Sequence, residues 1–170
     1  RHPDLRVALP TLRGVQDLVR DLTRDWVVTP QIITDAGTKR GAFAMADVAL
    51  AASGTVSLEL AANGCPMVIA YDMNRLTLWL MRRMALVDTV TLVNLVAESR
   101  SVPEFLGPAC KADAIAPAVL ALMKPGAARD ALLLRVIGSP DPYGKHTDGM
   151  GGATSSTSKC VILSNSTQPD

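Results

Sequence analysis

The period of the apolar positions changes repeatedly along this chain, and each change predicts an element. Leu5 to Leu12 (LRVALPTL) is a short apolar run with Pro10 near its end, the pattern of a strand. From Thr11 to Thr23 the apolar residues Leu12, Val15, Leu18, Val19 and Leu22 fall at helical spacing. Trp26 to Val28 and Gln31 to Thr34 are short β-branched runs broken at Pro30, and Asp35-Ala36-Gly37 marks a turn. Thr38 to Ala46 predicts a short helix and Val48 to Ala51 a second strand. Ser53-Gly54-Thr55 ends that strand and leads into a helix over 55–62, with Gly64 placed for its C-terminal cap. Cys65 to Tyr71 reads as a strand, Leu76 to Ala85 as a helix, Asp88 to Leu95 as a strand, and Ala112 to Met123 as a helix closed by Pro125-Gly126.

Strands alternating with helices predict parallel βαβ units in a layered α/β domain. Strands with little alternation suit a sheet covered on both faces. The expected domain covers residues 1–137. From Gly138 to Asp170 more than half of the residues are Ser, Thr, Gly or Pro, and GGATSSTS is low in complexity. Such a segment buries too little apolar area to offset its ordering entropy. Cys160 to Leu163 is its one apolar island. The expectation is a disordered tail, or sequence foreign to the fold.

At 170 residues and 48% apolar content the chain is sized for one domain with a core. A net charge of +1 offers no basic footprint for nucleic acid. The longest apolar runs fall short of a membrane-spanning helix, and no secretory pattern opens the chain. It begins at Arg1 rather than Met, so a longer parent protein is expected. Cys65, Cys110 and Cys160 are widely spaced, which suits buried or idle thiols better than a disulfide framework or a zinc site. No metal or cofactor is expected. His2 and His146 lie in segments expected to fray, Asp72 and Asp88 read as loop or strand-edge carboxylates, and no nucleophile–base order is present.

Chemistry concentrates in Ala46 to Tyr71, where a strand delivers Ser53-Gly54-Thr55 to a helix start. Free backbone N–H groups there suit an anion. Gly54 allows close approach, Ser53 and Thr55 add hydroxyls, and Glu59, one turn on, can accept from ribose hydroxyls. The plain alternative is an ordinary helix start with a solvated Glu59. Glu59 is not a capping-box partner of Thr55, because the third residue on is Leu58. Asn74 to Val87 places Leu76, Leu80, Met84 and Val87 on one face, with Trp79 beside them and Arg75, Arg82 and Arg83 as charge. That segment reads either as a core helix whose arginines snorkel or as one lying in an anionic membrane interface.

The order of Ala52 to Thr55, Glu59, Cys65 to Val68, Tyr71 to Met73, Thr77 to Arg83 and Thr89 to Leu95 resembles the C-terminal half of lipid-A-disaccharide synthase, over roughly Leu5 to Met123. The resemblance implies a Rossmann-like domain, the donor-binding half of a glycosyltransferase with two facing domains. It implies UDP-diacylglucosamine as donor and an acylated glucosamine 1-phosphate as acceptor, joined into the lipid A disaccharide with release of UDP. By the same resemblance Ser53, Gly54 and Thr55 contact the diphosphate and Glu59 the ribose. Asn94 lies near the active-site cleft, the alternative being a turn residue after a strand. A cytoplasmic setting, peripheral contact with the inner membrane through Asn74 to Val87, and a homodimer of the intact protein are further implications. The family's N-terminal domain, with its acceptor pocket and catalytic acid, and the Gly-Ser-Arg loop opening its second domain have no counterpart here. The chain starts one strand later, and the family's closing helices give way to the Ser/Gly-rich tail. Asp72, Asn74 and Arg75 also depart from the more basic or proline-bearing family pattern. No catalytic residue is assigned, and no independent turnover is expected. The rival readings are a non-catalytic α/β binding module and a related glycosyltransferase with a soluble acceptor.

Overall fold

The computed structural model describes residues 4–52, 54–72, 89, 91–137 and 159–164. Among them six strands form one all-parallel sheet in the order β2-β1-β6-β3-β4-β5. The strands are β1 (Leu5–Pro10), β2 (Gln31–Ile33), β3 (Val48–Ala51), β4 (Met67–Tyr71), β5 (Glu104–Leu106) and β6 (Lys159–Ser164). The helices are α1 (Gln16–Leu22), α2 (Ala36–Met45), α3 (Val56–Ala62), α4 (Leu92–Val96), α5 (Ala112–Met123) and α6 (Ala127–Ile137). The Rossmann-like α/β expectation holds.

Alternation along each strand sends neighbouring residues to opposite faces. Ala49, Ala51, Met67 and Ile69 pack on one face with Phe43 of α2, Leu60 of α3 and Val93 of α4. Val48 and Val68 pack on the other with Leu122 and Met123 of α5 and Leu132 and Leu133 of α6. Covering on both faces explains why these strands read as continuous apolar runs. Arg129 of α6 donates to the carbonyls of Asp47, at 2.6 Å, and Leu122, at 3.3 Å, tying the second layer to the root of β3.

Local signals set the helix ends. The Asp35 carboxylate accepts from the Thr38 N–H at 2.7 Å and its hydroxyl at 2.8 Å, which caps α2. Gly64, at φ +64°, closes α3. The Cys65 N–H reaches the Leu60 carbonyl and the Gly64 N–H that of Ala61, both at 3.0 Å, the paired bonds of a Schellman ending.

Four expectations change. Residues 26–28 form no strand, and the one after Pro30 is Gln31–Ile33. The predicted strand over 88–95 is instead, where described, the helix Leu92–Val96, held by tertiary bonds at Asn94. The stripe on α1 is present but only partly covered, with Val15 and Val19 half-buried and Leu18 59% and Leu22 69% exposed. The fourth change lies in the expected tail. Lys159–Ser164 pairs with β1 on one side and β3 on the other, so the apolar island is an interior strand. Its isolation in sequence hid this, because its partners lie more than a hundred residues away. The helix expected over 76–85 lies outside the described residues.

Candidate functional site

β1 and β2 step outward one way in the sheet and β3, β4 and β5 the other. Open α/β sheets bind ligands at the carboxyl ends of strands where the order reverses. The turn after Ala51 of β3 stands there. Ser53 lies outside the described residues. Gly54 has φ +122°, a backbone state that a side chain strains, so the turn requires glycine. Thr55 follows in helical conformation, is exposed, and makes no capping bond with its hydroxyl.

Two residues that the sequence reading passed over complete this turn. Ser57 donates to the Gly54 carbonyl through its hydroxyl at 2.8 Å and its N–H at 3.2 Å. The Gly54 carbonyl is thereby turned into the helix. Lys39, one turn into α2, lies 2.6 Å from the Glu59 carboxylate. Its Nζ also sits 5.6 Å from the centre of the Phe43 ring. Glu59 is thus neither merely solvated nor free. It is half-exposed beside a cation, one helical turn along α3 from Thr55. The signal available in sequence was that α2 and α3 both begin at the carboxyl edge, since each follows a parallel strand.

Asn94 is placed differently. It is 2% exposed, with both ends of its amide on the backbone of Val102. Its Nδ2 donates to the Val102 carbonyl and its Oδ1 accepts from the Val102 N–H, each at 3.0 Å. The Glu104 carboxylate accepts from the Thr89 hydroxyl, from the Thr91 N–H at 3.0 Å and from Asn94 Nδ2 at 3.2 Å. Burial alone raises the Glu104 carboxyl, but these donors outweigh it and hold the group below its ordinary range. Asn94 also borders a cavity of about 470 Å³ with Thr89, Glu98 and Arg135. A second cavity of about 430 Å³ opens between α3 and α4, lined by Leu58 and Val93 among others. Neither is lined by Gly54, Thr55 or Glu59. The structure brings Gly54, Thr55 and Glu59 together and leaves Asn94 in a separate cluster.

Cys65 is buried, its thiol donating to the Pro66 carbonyl, and Cys110 is half-buried. Burial pushes the Cys110 thiol up, with the Asp72 charge adding to the effect. Among the described residues no group of three or more His, Cys, Asp or Glu could hold a metal ion. None of their helices is long and apolar enough to cross a membrane. Asn74 to Val87 lies outside the described residues.

The family model for lipid-A-disaccharide synthetase matches residues 3–131. A second family model, PrpF protein, matches residues 116–170. The lipid-A-disaccharide synthase of Ruegeria pomeroyi is 51% identical over 140 residues, covering 78% of this chain and 35% of that protein. That of Rhodopseudomonas palustris is 44% identical over 115 residues, covering 68% of this chain and 29% of that protein. The Granulibacter bethesdensis synthase is 36% identical over 164 residues, covering 95% of this chain and 37% of that protein. The chain spans about a third of the length of these curated relatives.

Proposed function

The chain belongs to the lipid-A-disaccharide synthetase family, and we propose that it is the part that binds the sugar-nucleotide donor, UDP-diacylglucosamine. The observation that carries this reading is the Gly54 turn at the carboxyl edge of the sheet, where the strand order reverses. Ser53, Gly54 and Thr55 take the diphosphate. Gly54 lets phosphate oxygens reach the backbone, and the uncommitted Thr55 hydroxyl donates to one of them. Glu59 accepts from the ribose hydroxyls, with Lys39 holding the carboxylate in place. Asn94 serves indirectly, fixing the segment from Val102 to Glu104 beneath the cleft.

The acceptor in this proposal is an acylated glucosamine 1-phosphate. Its hydroxyl displaces UDP from the donor's anomeric carbon and loses its proton to a base. No described residue is assigned as that base, so the chain alone holds one reactant and leaves the barrier largely intact. Orientation of two reactants contributes roughly 7–11 kcal/mol in well-held cases. Peripheral contact with the cytoplasmic face of the inner membrane, through Asn74 to Val87, and pairing of the intact protein into a homodimer belong to the same proposal.

One observation favours a second reading. The Lys39–Glu59 ion pair braces α2 against α3, a purely structural role that a non-catalytic binding module would also have. Titration calorimetry with UDP separates the two. The donor-site reading expects binding that weakens in Thr55→Val and Glu59→Ala, each losing a hydrogen bond worth about 0.5–3 kcal/mol. Equal UDP affinity in wild type and both variants contradicts it.

A further inference from the structure

The sheet is made of two runs of consecutive strands that do not pair with each other. β1 pairs with β2, and β3, β4 and β5 form the second run. Among the described residues β6 alone joins the runs. A doubly wound sheet commonly has the order 3-2-1-4-5-6, with the earliest strand at the centre. The present order follows that scheme with the last strand in the first strand's seat. The synthetase family model ends at residue 131, before β6, whereas the PrpF protein model runs through it. The central strand therefore lies beyond the stretch that the synthetase family model matches, while the strands on both sides of it lie within that stretch.

The seat has a definite shape. Ile162 is level with Ala8 on one side and Ala49 on the other, and it is fully buried. Two alanines flanking one position leave room for a bulky aliphatic there. Val161, on the opposite face, lies between Val7 and Val48. Both flanking strands offer their backbone groups toward the gap, and buried N–H and C=O groups left unpaired are costly.

We propose that the gap between β1 and β3 is a strand-acceptor site, and that Lys159–Ser164 fills it as an exchangeable insert. Its occupant is an extended apolar segment running parallel to both neighbours, with a large aliphatic residue level with Ala8 and Ala49. Pairing along two edges supplies affinity, and the alternating side-chain seats supply selectivity. The same segment added as a separate peptide meets these requirements.

The test uses the full-length chain carrying Ile162→Asp, which sets a carboxylate at a fully buried position. The probe is a fluorescent synthetic peptide with the wild-type sequence of residues 157–166. The variant should bind it saturably, at least about tenfold more tightly than wild type, whose own strand competes for the seat. Binding should restore amide-exchange protection in β1 and β3, and a peptide carrying the same Ile162→Asp change should do neither. Wild type supplies a second readout that does not depend on the variant's folding. Its amides at residues 160–163 should exchange as slowly as those of Val48–Ala51. Unprotected exchange at 160–163 in wild type overturns the proposal. So does a variant that the peptide neither binds nor protects.

Discussion

Replacing Asn94 by alanine removes both ends of the side chain that stands in for a backbone partner of Val102. The carbonyl and N–H of Val102 each lose a 3.0 Å bond at a residue that is itself buried. Glu104 loses one of its donors at the same time. With two buried groups left unpaired at about 1–2 kcal/mol each, the loss should be about 2–4 kcal/mol. For a domain of this size that is a fall in Tm of about 4–16 °C. Thermal unfolding followed by circular dichroism, with urea titration at fixed temperature, measures it. The pH dependence adds a check. Glu104 is held below its ordinary range in the fold, so its contribution to stability is present above that range and lost as pH falls through the lowered folded value. Removing a donor shrinks this contribution, so wild type and Asn94→Ala should differ more at neutral pH than in acid. Asn94→Asp should also destabilise, because it keeps the acceptor for Val102 but turns a second carboxylate toward Glu104. An Asn94→Ala protein with wild-type Tm and impaired UDP binding would refute the clamp and make Asn94 a ligand contact.

Lys39 and Glu59 are 32% and 43% exposed, so a double-mutant cycle with Lys39→Met and Glu59→Gln should give a coupling of only about 0.2–1 kcal/mol, shrinking with added salt; zero coupling at low salt contradicts the pairing. Hydrogen bonds from Thr38 lower the Asp35 carboxyl, so the stability from this cap is present above the ordinary carboxylate pKa and fades as pH falls through the lowered value. Asp35→Ala should therefore be destabilised at neutral pH and converge on wild type in acid, as read by urea titration at both. Gly64→Ala forces an L residue to φ +64° and should cost about 1–2 kcal/mol by the same titration, whereas Gly14→Ala, in open space, should cost far less.

The unit from β3 through α3 to β4 was readable in sequence because its limits are local. The Val48–Ala51 run, the turn glycine and the Gly64 cap each act on their immediate neighbours. Residues 88–95 misled because a short β-branched apolar run suits strand and helix alike. The decision there came from Asn94 reaching Val102 and Glu104 reaching back to Thr91. β6 was hidden for a similar reason. Four apolar residues amid Ser, Thr and Gly have no local preference strong enough to read, and only the seat between β1 and β3 makes them a strand. The stripe on α1 shows the converse, since periodicity marks an apolar face without saying what covers it. At the candidate site the positions of Gly54, Thr55 and Glu59 could be read from the chain. The cation facing Glu59 could not, because Lys39 reaches it across two helices.

The central claim is that the Gly54 turn binds the donor's nucleotide, and residue-resolved NMR during a UDP titration tests it most directly. The account predicts progressive shifts in the amides of Gly54, Thr55 and Glu59 and in the Lys39 side chain, with little change at Asn94 and Val102, and loss of these shifts in Gly54→Ala. Shifts confined to the cavity beside Asn94 and Arg135, or none at saturating UDP, would contradict it.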